Sequence, residues 1–352
     1  MKVLGIETSC DETAAAVVED GRRLLSNVVA SSMDLHAQYG GVVPEIAARS
    51  HIEVILPVIH EALETAKCTW DDIDAIAVTY GAGLGGSLLI GVMTARTLAI
   101  THNKPLYGIN HVAGHVYANF LTETSLPDYK MRSAAPEFPL LAVIVSGGHS
   151  QLVLFRDHFD YTLLGRTQDD AIGEAFDKVA KMLGLPYPGG PSVSAAAAQG
   201  DPHKYKLPKA QMSKYDFSFS GLKTAVLRLA QAEIGESYDF PSMKLPERLS
   251  EAQKADIAAS FQRTAIETIV DKVKLACEEF RPKDVVIAGG VAANQELRRQ
   301  LTEALPLPME FPDLQLCTDN GAMIATLGGF KQLRGQPAAD PYSLEIQPNL
   351  SM

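Results

Sequence analysis

The chain has 352 residues, of which 46% are hydrophobic, and a formal net charge of −11. Soluble domains usually have about 100–200 residues, so the length predicts two lobes, and the acidic excess disfavours a stand-alone nucleic-acid binder, which is typically basic. No apolar run is long enough to span a bilayer and the N-terminus lacks signal-peptide features, so we predict a cytoplasmic protein with no membrane partner.

The first hundred residues combine strand and helix patterns. Apolar runs separated by turn residues predict three strands of an antiparallel meander, namely Val3–Ile6, Ala14–Val18 and Leu24–Val29. Pro44 then opens a predicted helix, and Asp74–Thr79 has the composition of a buried strand. A glycine-rich loop leads into a further helix that ends near Ala99. The predicted order is three strands, helix, strand, helix.

The same order recurs from about residue 105. Three strands are predicted at 139–145, 151–155 and 161–164, and a helix at 169–183. Residues 186–247 are rich in Pro, Gly, Ser and Lys, so we interpret them as an insertion that holds one helix, Leu222–Ile234. The remaining predicted elements are a long helix at 251–280, a strand at 285–288 and closing helices at 292–305 and 319–333.

Two repeats of this kind predict an α/β fold in which one lobe is duplicated around a nucleotide cleft, as in actin, Hsp70 and sugar kinases (the ASKHA class). We place the N-terminal lobe at 1–105 and the C-terminal lobe at 106–334, with the insertion inside it. The last helix could pack across onto the N-terminal lobe. Residues 335–352 are expected to form an irregular tail.

The turn after the first predicted strand carries hydroxyl and acidic side chains, in the segment GIETSCDET at 5–13. Backbone N–H groups and hydroxyls of such a turn can surround phosphate oxygens, and Asp11 could hold a water or a cation beside them. An ordinary hairpin turn uses the same residue types. Both interpretations are open at this point.

Two glycine pairs follow strands of the second repeat, in VSGGH at 145–149 and GGVAAN at 289–294. Paired glycines let the backbone approach a ligand closely, and a helix N-terminus offers free N–H donors to phosphate. Asn294 could bind a ribose or phosphate oxygen. Each pair alone is compatible with an ordinary turn, but their order along the chain predicts phosphate or acyl-phosphate binding.

His111 and His115 are four residues apart, so on a helix both imidazoles would face one metal ion. A zinc peptidase would need a glutamate directly after the first histidine as general base, and Val112 occupies that position. A third ligand must come from elsewhere. Asp319 is a candidate, placed at a predicted strand-to-helix junction, and the alternative is that it caps the helix.

Two further segments are GEAFDKVAK at 173–181 and YPGGP at 187–191. Glu174 and Lys178 have the spacing of an i,i+4 ion pair on a helix. The Pro-Gly-Gly-Pro sequence is typical of a rigid turn that shapes a ligand site.

Together these segments resemble the TsaD family, also called YgjD or Gcp. The resemblance extends from residue 1 to about 334 and rests on GIETSCDET, VPEIAARSH, VSGGH, GEAFDKVAK, YPGGP, FSFSGLKTA, GGVAAN and DNGAMIA, and on the spacing of Arg96, Thr97, His102, Asn103, Pro105, Tyr107, His111, Gly114, His115 and Val116. It implies transfer of a threonylcarbamoyl group from threonylcarbamoyl-AMP to the N6 amine of the adenosine next to the anticodon. The tRNAs concerned read codons that begin with A, and AMP is released.

The resemblance also implies the site. The metal ligands would be His111, His115 and Asp319. The adenylate site would be lined by Ile144, Val145, Ser146, Gly147, Gly148, Asp177, Gly190 and Asn294. Archaeal and eukaryotic relatives have a tyrosine ligand at the position of Ile144, so the chain resembles the bacterial branch.

One divalent metal is implied, iron(II) in preference to zinc, with the adenylate as substrate. Besides tRNA, the implied partners are a TsaB-like paralogue that forms a heterodimer, a TsaE-like ATPase and a TsaC-like synthase that supplies the adenylate. AMP is already a good leaving group in such a donor, so the main task is to orient donor and amine. Asp11 is our candidate for the group that takes the amine proton, with Glu12 second.

Three other functions are open to the sequence. A small-molecule kinase of the same fold would share the nucleotide segments and would not need the histidine pair. A metalloprotease is disfavoured by Val112. A non-catalytic scaffold, like the paralogue, could lose the histidine pair, which this chain keeps.

Overall fold

The computed structural model describes residues 1–39 and 41–352. Contacts divide the chain into two compact units, 1–136 together with 310–352, and 137–309. In the described ranges, no helix combines the length and apolar character that crossing a bilayer would require.

The first unit is built on a six-stranded sheet. Its strands are β1 (Lys2–Glu7), β2 (Glu12–Glu19), β3 (Arg23–Ser31), β4 (Ala75–Gly81), β5 (Leu106–Asn110) and β6 (Glu123–Thr124), in the spatial order β5-β4-β1-β2-β3-β6. β1, β2 and β3 are antiparallel neighbours, and β4 lies parallel to β1 and to β5. The predicted meander is therefore confirmed.

Helices surround this sheet. They are α1 (Met33–Ala37), α2 (Pro44–Thr65), α3 (Gly85–Thr101) and α4 (His111–Tyr117). Pro44 is the first residue of α2, where its fixed φ angle suits a helix start and its missing N–H costs nothing. β1 is buried from Val3 onward because helices cover both faces of the sheet, which explains its uninterrupted apolar run.

The second unit repeats the scheme with two strands fewer. Its strands are β7 (Leu140–Val145), β8 (Ser150–Asp157), β9 (Asp160–Arg166) and β10 (Asp284–Ala288), in the order β10-β7-β8-β9. β7, β8 and β9 are antiparallel and β10 is parallel to β7, as in the first unit. Two sheets with the same internal order confirm the predicted duplicated α/β fold of the actin-like class.

The helices of the second unit correct three predictions. They are α5 (Ile172–Leu183), α6 (Gly189–Ala197), α7 (Ser220–Glu233), α8 (Leu245–Arg248), α9 (Glu251–Phe280) and α10 (Gln295–Ala304). The insertion thus holds three helices rather than one, and the Pro-Gly-Gly-Pro segment starts α6 instead of forming a rigid turn. α6 was not recognisable in the sequence because Pro188 is its N-cap and glycines fill its first turn. The closing helix predicted from residue 292 begins at Gln295, after a 3₁₀ turn.

The chain returns to the first unit as α11 (Gly321–Leu333). An added Cβ at Gly321 would lie 2.5 Å from the Ala16 nitrogen, so the helix packs directly against the sheet backbone. The sequence left open whether this last helix packs against the first sheet, and in the structure it does. The structural units also differ from the predicted lobes, since β5 pairs with β4 beyond the boundary placed at 105/106.

The irregular tail after α11 is fastened to the first unit. Arg96 of α3 donates to the backbone carbonyls of Pro341 (2.6 Å), Tyr342 (2.5 Å) and Leu344 (3.4 Å). The Ala339 nitrogen also donates to the Leu106 carbonyl at 2.7 Å. One guanidinium, with its five donors, therefore holds three backbone carbonyls of the tail.

We expect Arg96→Ala to lower the free energy of unfolding by about 1–3 kcal/mol, because hydrogen bonds from a charged donor are lost. Hydrogen exchange should become faster at residues 339–350, and denaturant unfolding should report the free-energy change. Arg49→Ala, at an exposed position of α2, is the control. Unchanged exchange in the tail of the Arg96 variant would show that Arg96 does not hold it.

Candidate metal centre and nucleotide cavity

The histidine pair lies at the start of a short helix. Asn110 caps α4 by accepting from the Ala113 nitrogen at 3.1 Å, so His111 is the first helical residue and His115 follows one turn later. An added Cβ at Gly114 would lie 3.0 Å from the Ile324 side chain, so this glycine lets α4 approach α11 closely. The helix predicted for the pair is confirmed.

Asp319 stands at the other side of the same site. Asn320, not Asp319, caps α11, since its Oδ1 accepts from the Met323 nitrogen at 3.0 Å. The N-cap alternative for Asp319 is therefore wrong. The predicted strand-to-helix junction is also wrong, because the preceding element is a 3₁₀ turn at Leu314–Leu316.

Ligand atoms of His111, His115 and Asp319 lie within 4.8 Å of one another. Asp319 Oδ1 is 3.5 Å from His111 Nε2 and 3.2 Å from His115 Nε2. Two atoms each about 2.1 Å from one ion are about 3.0–3.5 Å apart at angles between 90° and 110°. The spacing therefore fits a shared metal ion.

Burial supports the same interpretation. His115 is 3% exposed, and neither of its ring nitrogens has a hydrogen-bond partner among the described residues. A buried polar atom without a partner is costly unless something binds it. A metal ion would satisfy Nε2 of this imidazole.

The electrostatics of the site favour a cation. Burial acts to lower the pKa of His111, but the carboxylates of Asp319 and Glu7 outweigh it and raise that pKa to about 9. In the absence of a metal ion, a proton therefore supplies positive charge between these two carboxylates.

Val112 is 1% exposed and packs into the core. The position that must carry the general base of a zinc peptidase thus has a buried aliphatic side chain and no carboxylate. Peptidase chemistry of that type is not available here.

Asp11 lies in the turn between β1 and β2, and Glu12 is the first residue of β2. Burial, together with the charges of Asp319 and Asp11, raises the pKa of Glu12 to about 9. Burial and the charge of Asp11 also raise the pKa of the neighbouring Cys10 thiol. At neutral pH, Glu12 and Cys10 therefore keep their protons, which excludes Cys10 as a thiolate nucleophile.

A cavity of about 1000 Å³ opens in the second unit. Four of the predicted adenylate residues line it, namely Gly147, Asp177, Gly190 and Asn294. The other four lie elsewhere. Ile144 and Val145 are fully buried in β7, and Gly148 lines a separate, smaller pocket. Ser146 closes the turn with two hydrogen bonds to His149: its N–H donates to the His149 carbonyl, and its Oγ accepts from the His149 N–H.

The polar walls of this cavity are linked by hydrogen bonds. Asp177 Oδ1 accepts from the Gly189 nitrogen at 2.7 Å and so ties α5 to the start of α6. Burial raises the pKa of Asp177. Asn294 caps α10 and donates to Ser194 and Gln262, each at 3.1 Å. Asn294 is thus a structural cap as well as a cavity residue.

Glycines keep the cavity open. A Cβ added at Gly147, Gly190 or Gly290 would meet no atom within 4 Å, so their small size is not needed for packing. Gly289 differs, because its φ of +91° and its contact with the Val145 carbonyl require glycine. The space beside Gly147, Gly190 and Gly290 is therefore open to a ligand.

Several cavity residues could not be recognised from the sequence. They include Phe176, Tyr187, Ser194, Gln262, Arg263 and Gln295. Gln262 and Arg263 lie midway along α9. Two adjacent polar residues in a half-buried helix were the one feature of the sequence that could have indicated them. Ser194 lies on α6, which was not predicted.

Comparison with known proteins fits this architecture. A HypF crystal structure from T. kodakarensis has a TM-score of 0.58 at 15% identity, covering 97% of this chain and 48% of that one, which shows a shared fold. The chain is 51% identical to a tRNA N6-adenosine threonylcarbamoyltransferase of Thermomicrobium roseum, over 100% of this chain and 97% of the relative. The homologous enzyme of Symbiobacterium thermophilum is 52% identical, with coverage of 93% and 90%.

Fold and site define an actin-like α/β protein with a candidate metal centre. The profile of the TsaD family, described as tRNA N6-adenosine threonylcarbamoyltransferase, matches residues 23–326. The chain belongs to this family and is a transferase that modifies tRNA. The resemblance noted in the sequence, including its bacterial assignment, is confirmed.

Proposed function

We propose that the enzyme transfers the threonylcarbamoyl group from threonylcarbamoyl-AMP to the N6 amine of the adenosine next to the anticodon, in tRNAs that read codons beginning with A. AMP is the second product. The observation that carries the proposal is the convergence of two imidazoles and one carboxylate, with ligand atoms within 4.8 Å, in a chain of this family. A kinase of the same fold does not need such a centre.

The cavity of the second unit would hold the adenylate. Gly147 and Gly190 offer backbone N–H groups where no side chain intervenes, and Asp177 and Asn294 supply polar atoms at the wall. Ser146 would keep the glycine turn in shape through its two bonds to His149. Ile144 and Val145 would act only as the buried strand that carries this turn.

His111, His115 and Asp319 would hold one divalent ion. Two histidines and one carboxylate leave open coordination positions, which is typical of non-haem iron(II) sites and also suits zinc, and we propose iron(II). When bound, the ion would polarise a carbonyl oxygen of the acyl donor as a Lewis acid. α4 carries both histidines, and Asp319 lies directly before Asn320, the N-cap of α11.

Asp11 would accept the proton that the adenosine amine loses. Glu12 is second, because its raised pKa of about 9 keeps it protonated at neutral pH, and a protonated carboxyl cannot act as a base. Asp11 and Glu12 thus divide their roles, since Glu12 holds its proton and leaves Asp11 as the acceptor.

We propose that the enzyme works with a TsaB-like paralogue as a heterodimer, with a TsaE-like ATPase, and with a TsaC-like synthase that supplies the adenylate. Because the substrate is tRNA, the reaction would take place in the cytoplasm.

Reconstitution tests the activity as a whole. The protein is incubated with these partners, threonine, bicarbonate, ATP and unmodified tRNA, and the tRNA is digested for nucleoside mass spectrometry. We expect threonylcarbamoyladenosine only when every component is present. Transfer of phosphate to a small molecule, with no modified nucleoside, would support the kinase alternative instead.

The nucleotide cavity gives a separate prediction. Asp177→Ala should weaken AMP binding about tenfold, because one hydrogen bond that orders the cavity wall is lost, worth about 1 kcal/mol or slightly more. Asp177→Asn should have a smaller effect, since its oxygen can still accept from Gly189. Glu174→Ala, which changes a residue that pairs with Lys178 on the same helix, is the control. Titration calorimetry with AMP measures all three, and an unaffected Asp177→Ala variant would remove Asp177 from the site.

A further inference from the structure

Glu7, the last residue of β1, is a fully buried carboxylate behind the histidine pair. Neither the phosphate-binding interpretation of GIETSCDET nor the metal ligand set gives this residue a function. Buried carboxylates are expensive to maintain, so their partners are informative.

Three groups converge on the Glu7 carboxylate. The Ser9 nitrogen donates to Oε1 at 2.5 Å, and the Thr79 hydroxyl donates to Oε2. His111 Nδ1 lies 3.3 Å from the same Oε2. The first two partners fix the carboxylate on both oxygens, so its position relative to the imidazole is set by β1 and β4.

The two nitrogens of His111 face different groups. Nδ1 faces Glu7, and Nε2 lies 3.5 Å from Asp319 Oδ1. A carboxylate can only accept, so its presence at Nδ1 favours the tautomer that carries hydrogen there. That tautomer leaves the lone pair of Nε2 directed at the candidate metal centre.

We infer that Glu7 is a positioning residue that fixes the tautomer and ring orientation of His111, so that Nε2 is available to a divalent metal ion. This inference rests on the proposed metal role of His111, His115 and Asp319. It adds a buried carboxylate as the partner that the first imidazole needs.

Ser9 is the competing partner of the same nitrogen, because its Oγ lies 3.1 Å from His111 Nδ1. A hydroxyl can donate or accept, so Ser9 alone would permit either tautomer. Glu7 permits one. Ser9→Ala removes the hydroxyl and keeps the backbone N–H that holds Glu7, which makes it a matched control.

Glu7→Gln is the decisive substitution. The Ser9 N–H must face the amide oxygen of the new side chain, which places the amide NH₂ at the former Oε2. This NH₂ can only donate, so His111 Nδ1 has to accept from it and the ring proton moves to Nε2. The shape of the side chain is retained while the tautomer is reversed.

The experiment measures zinc binding by the metal-free wild-type, Glu7→Gln and Ser9→Ala proteins, by competition with a chromophoric chelator. We expect the Glu7→Gln affinity to fall about 10–100-fold and the Ser9→Ala affinity to stay close to that of the wild type. Equal affinity of Glu7→Gln and wild type, or a loss confined to Ser9→Ala, would overturn the inference.

A second measurement needs no folded variant at position 7. Long-range ¹H–¹⁵N correlation of the zinc-loaded wild type, with the His111 signals assigned by their loss in His111→Gln, should show a protonated Nδ1. An unprotonated Nδ1 would contradict the inference. If the wild type binds no zinc at all, the proposed metal centre fails, which is a different outcome from a Glu7 variant that binds as well as the wild type.

Discussion

His115→Ala is expected to lose the bound metal ion and to lower the rate of threonylcarbamoyl transfer about 10³-fold. A metal ion held by these ligands would contribute several kcal/mol to transition-state stabilisation as a Lewis acid, and each 1.4 kcal/mol corresponds to a factor of about ten. The imidazole is 3% exposed, and its Nε2 contacts Asp319, the third proposed ligand, at 3.2 Å, so its removal mainly affects the proposed metal centre. The loss should therefore be chemical rather than structural.

Elemental analysis of the purified variant gives the metal content, and nucleoside mass spectrometry gives the transfer rate. His60→Ala is the matched control, because this histidine is exposed on α2 and pairs with Glu64 at the helix surface. The control should keep both metal and activity. A His115→Ala protein with a full complement of metal and normal turnover would refute the ligand assignment.

Asp11→Ala is expected to abolish transfer while the metal ion stays bound. Removal of a general base typically costs about 10²–10⁴ in rate. Asp11 is not one of the three converging ligands, so metal content should match the wild type. This combination separates a defect in proton transfer from loss of the metal centre.

Glu12→Gln sharpens the test. Glu12 has a pKa raised to about 9, so it is protonated at pH 7, and an amide resembles that form. Its effect on the rate should be much smaller than that of Asp11→Asn. Asp71→Ala, an exposed position on a 3₁₀ turn, serves as the control. Unimpaired turnover by Asp11→Ala would exclude Asp11 from the mechanism, and a larger loss for Glu12→Gln would reverse the two roles.

The sheet core was predictable because buried strands have uninterrupted apolar runs. The predicted runs Val3–Ile6 and Ala14–Val18 fall inside β1 and β2. The start of α6 was not predictable, because Pro188 and two glycines are typical of turns. Only the surrounding fold shows that they open a helix. Propensity is a weak guide wherever tertiary contacts decide the local structure.

The residue types at the site could be predicted from the sequence, whereas the role of each residue was harder to predict. The i,i+4 spacing of His111 and His115 indicates one helix face, and the structure agrees. Neither the capping role of Asn320 nor that of Asn294 follows from spacing, since several residues near each helix start could cap it. Glu7 carried one signal, an acidic residue at the end of a buried strand, which becomes informative only when Thr79 and Ser9 are seen to bind it.

The most direct test of the whole account supplies the donor itself. The metal-loaded enzyme and its partner proteins are mixed with threonylcarbamoyl-AMP and unmodified tRNA, without threonine, bicarbonate or the adenylate synthase. AMP release and threonylcarbamoyladenosine formation are then counted together. We predict one AMP for each modified adenosine, and none of either with the His115→Ala protein. Folded, metal-loaded enzyme that leaves the tRNA unmodified in the presence of this donor would contradict the account.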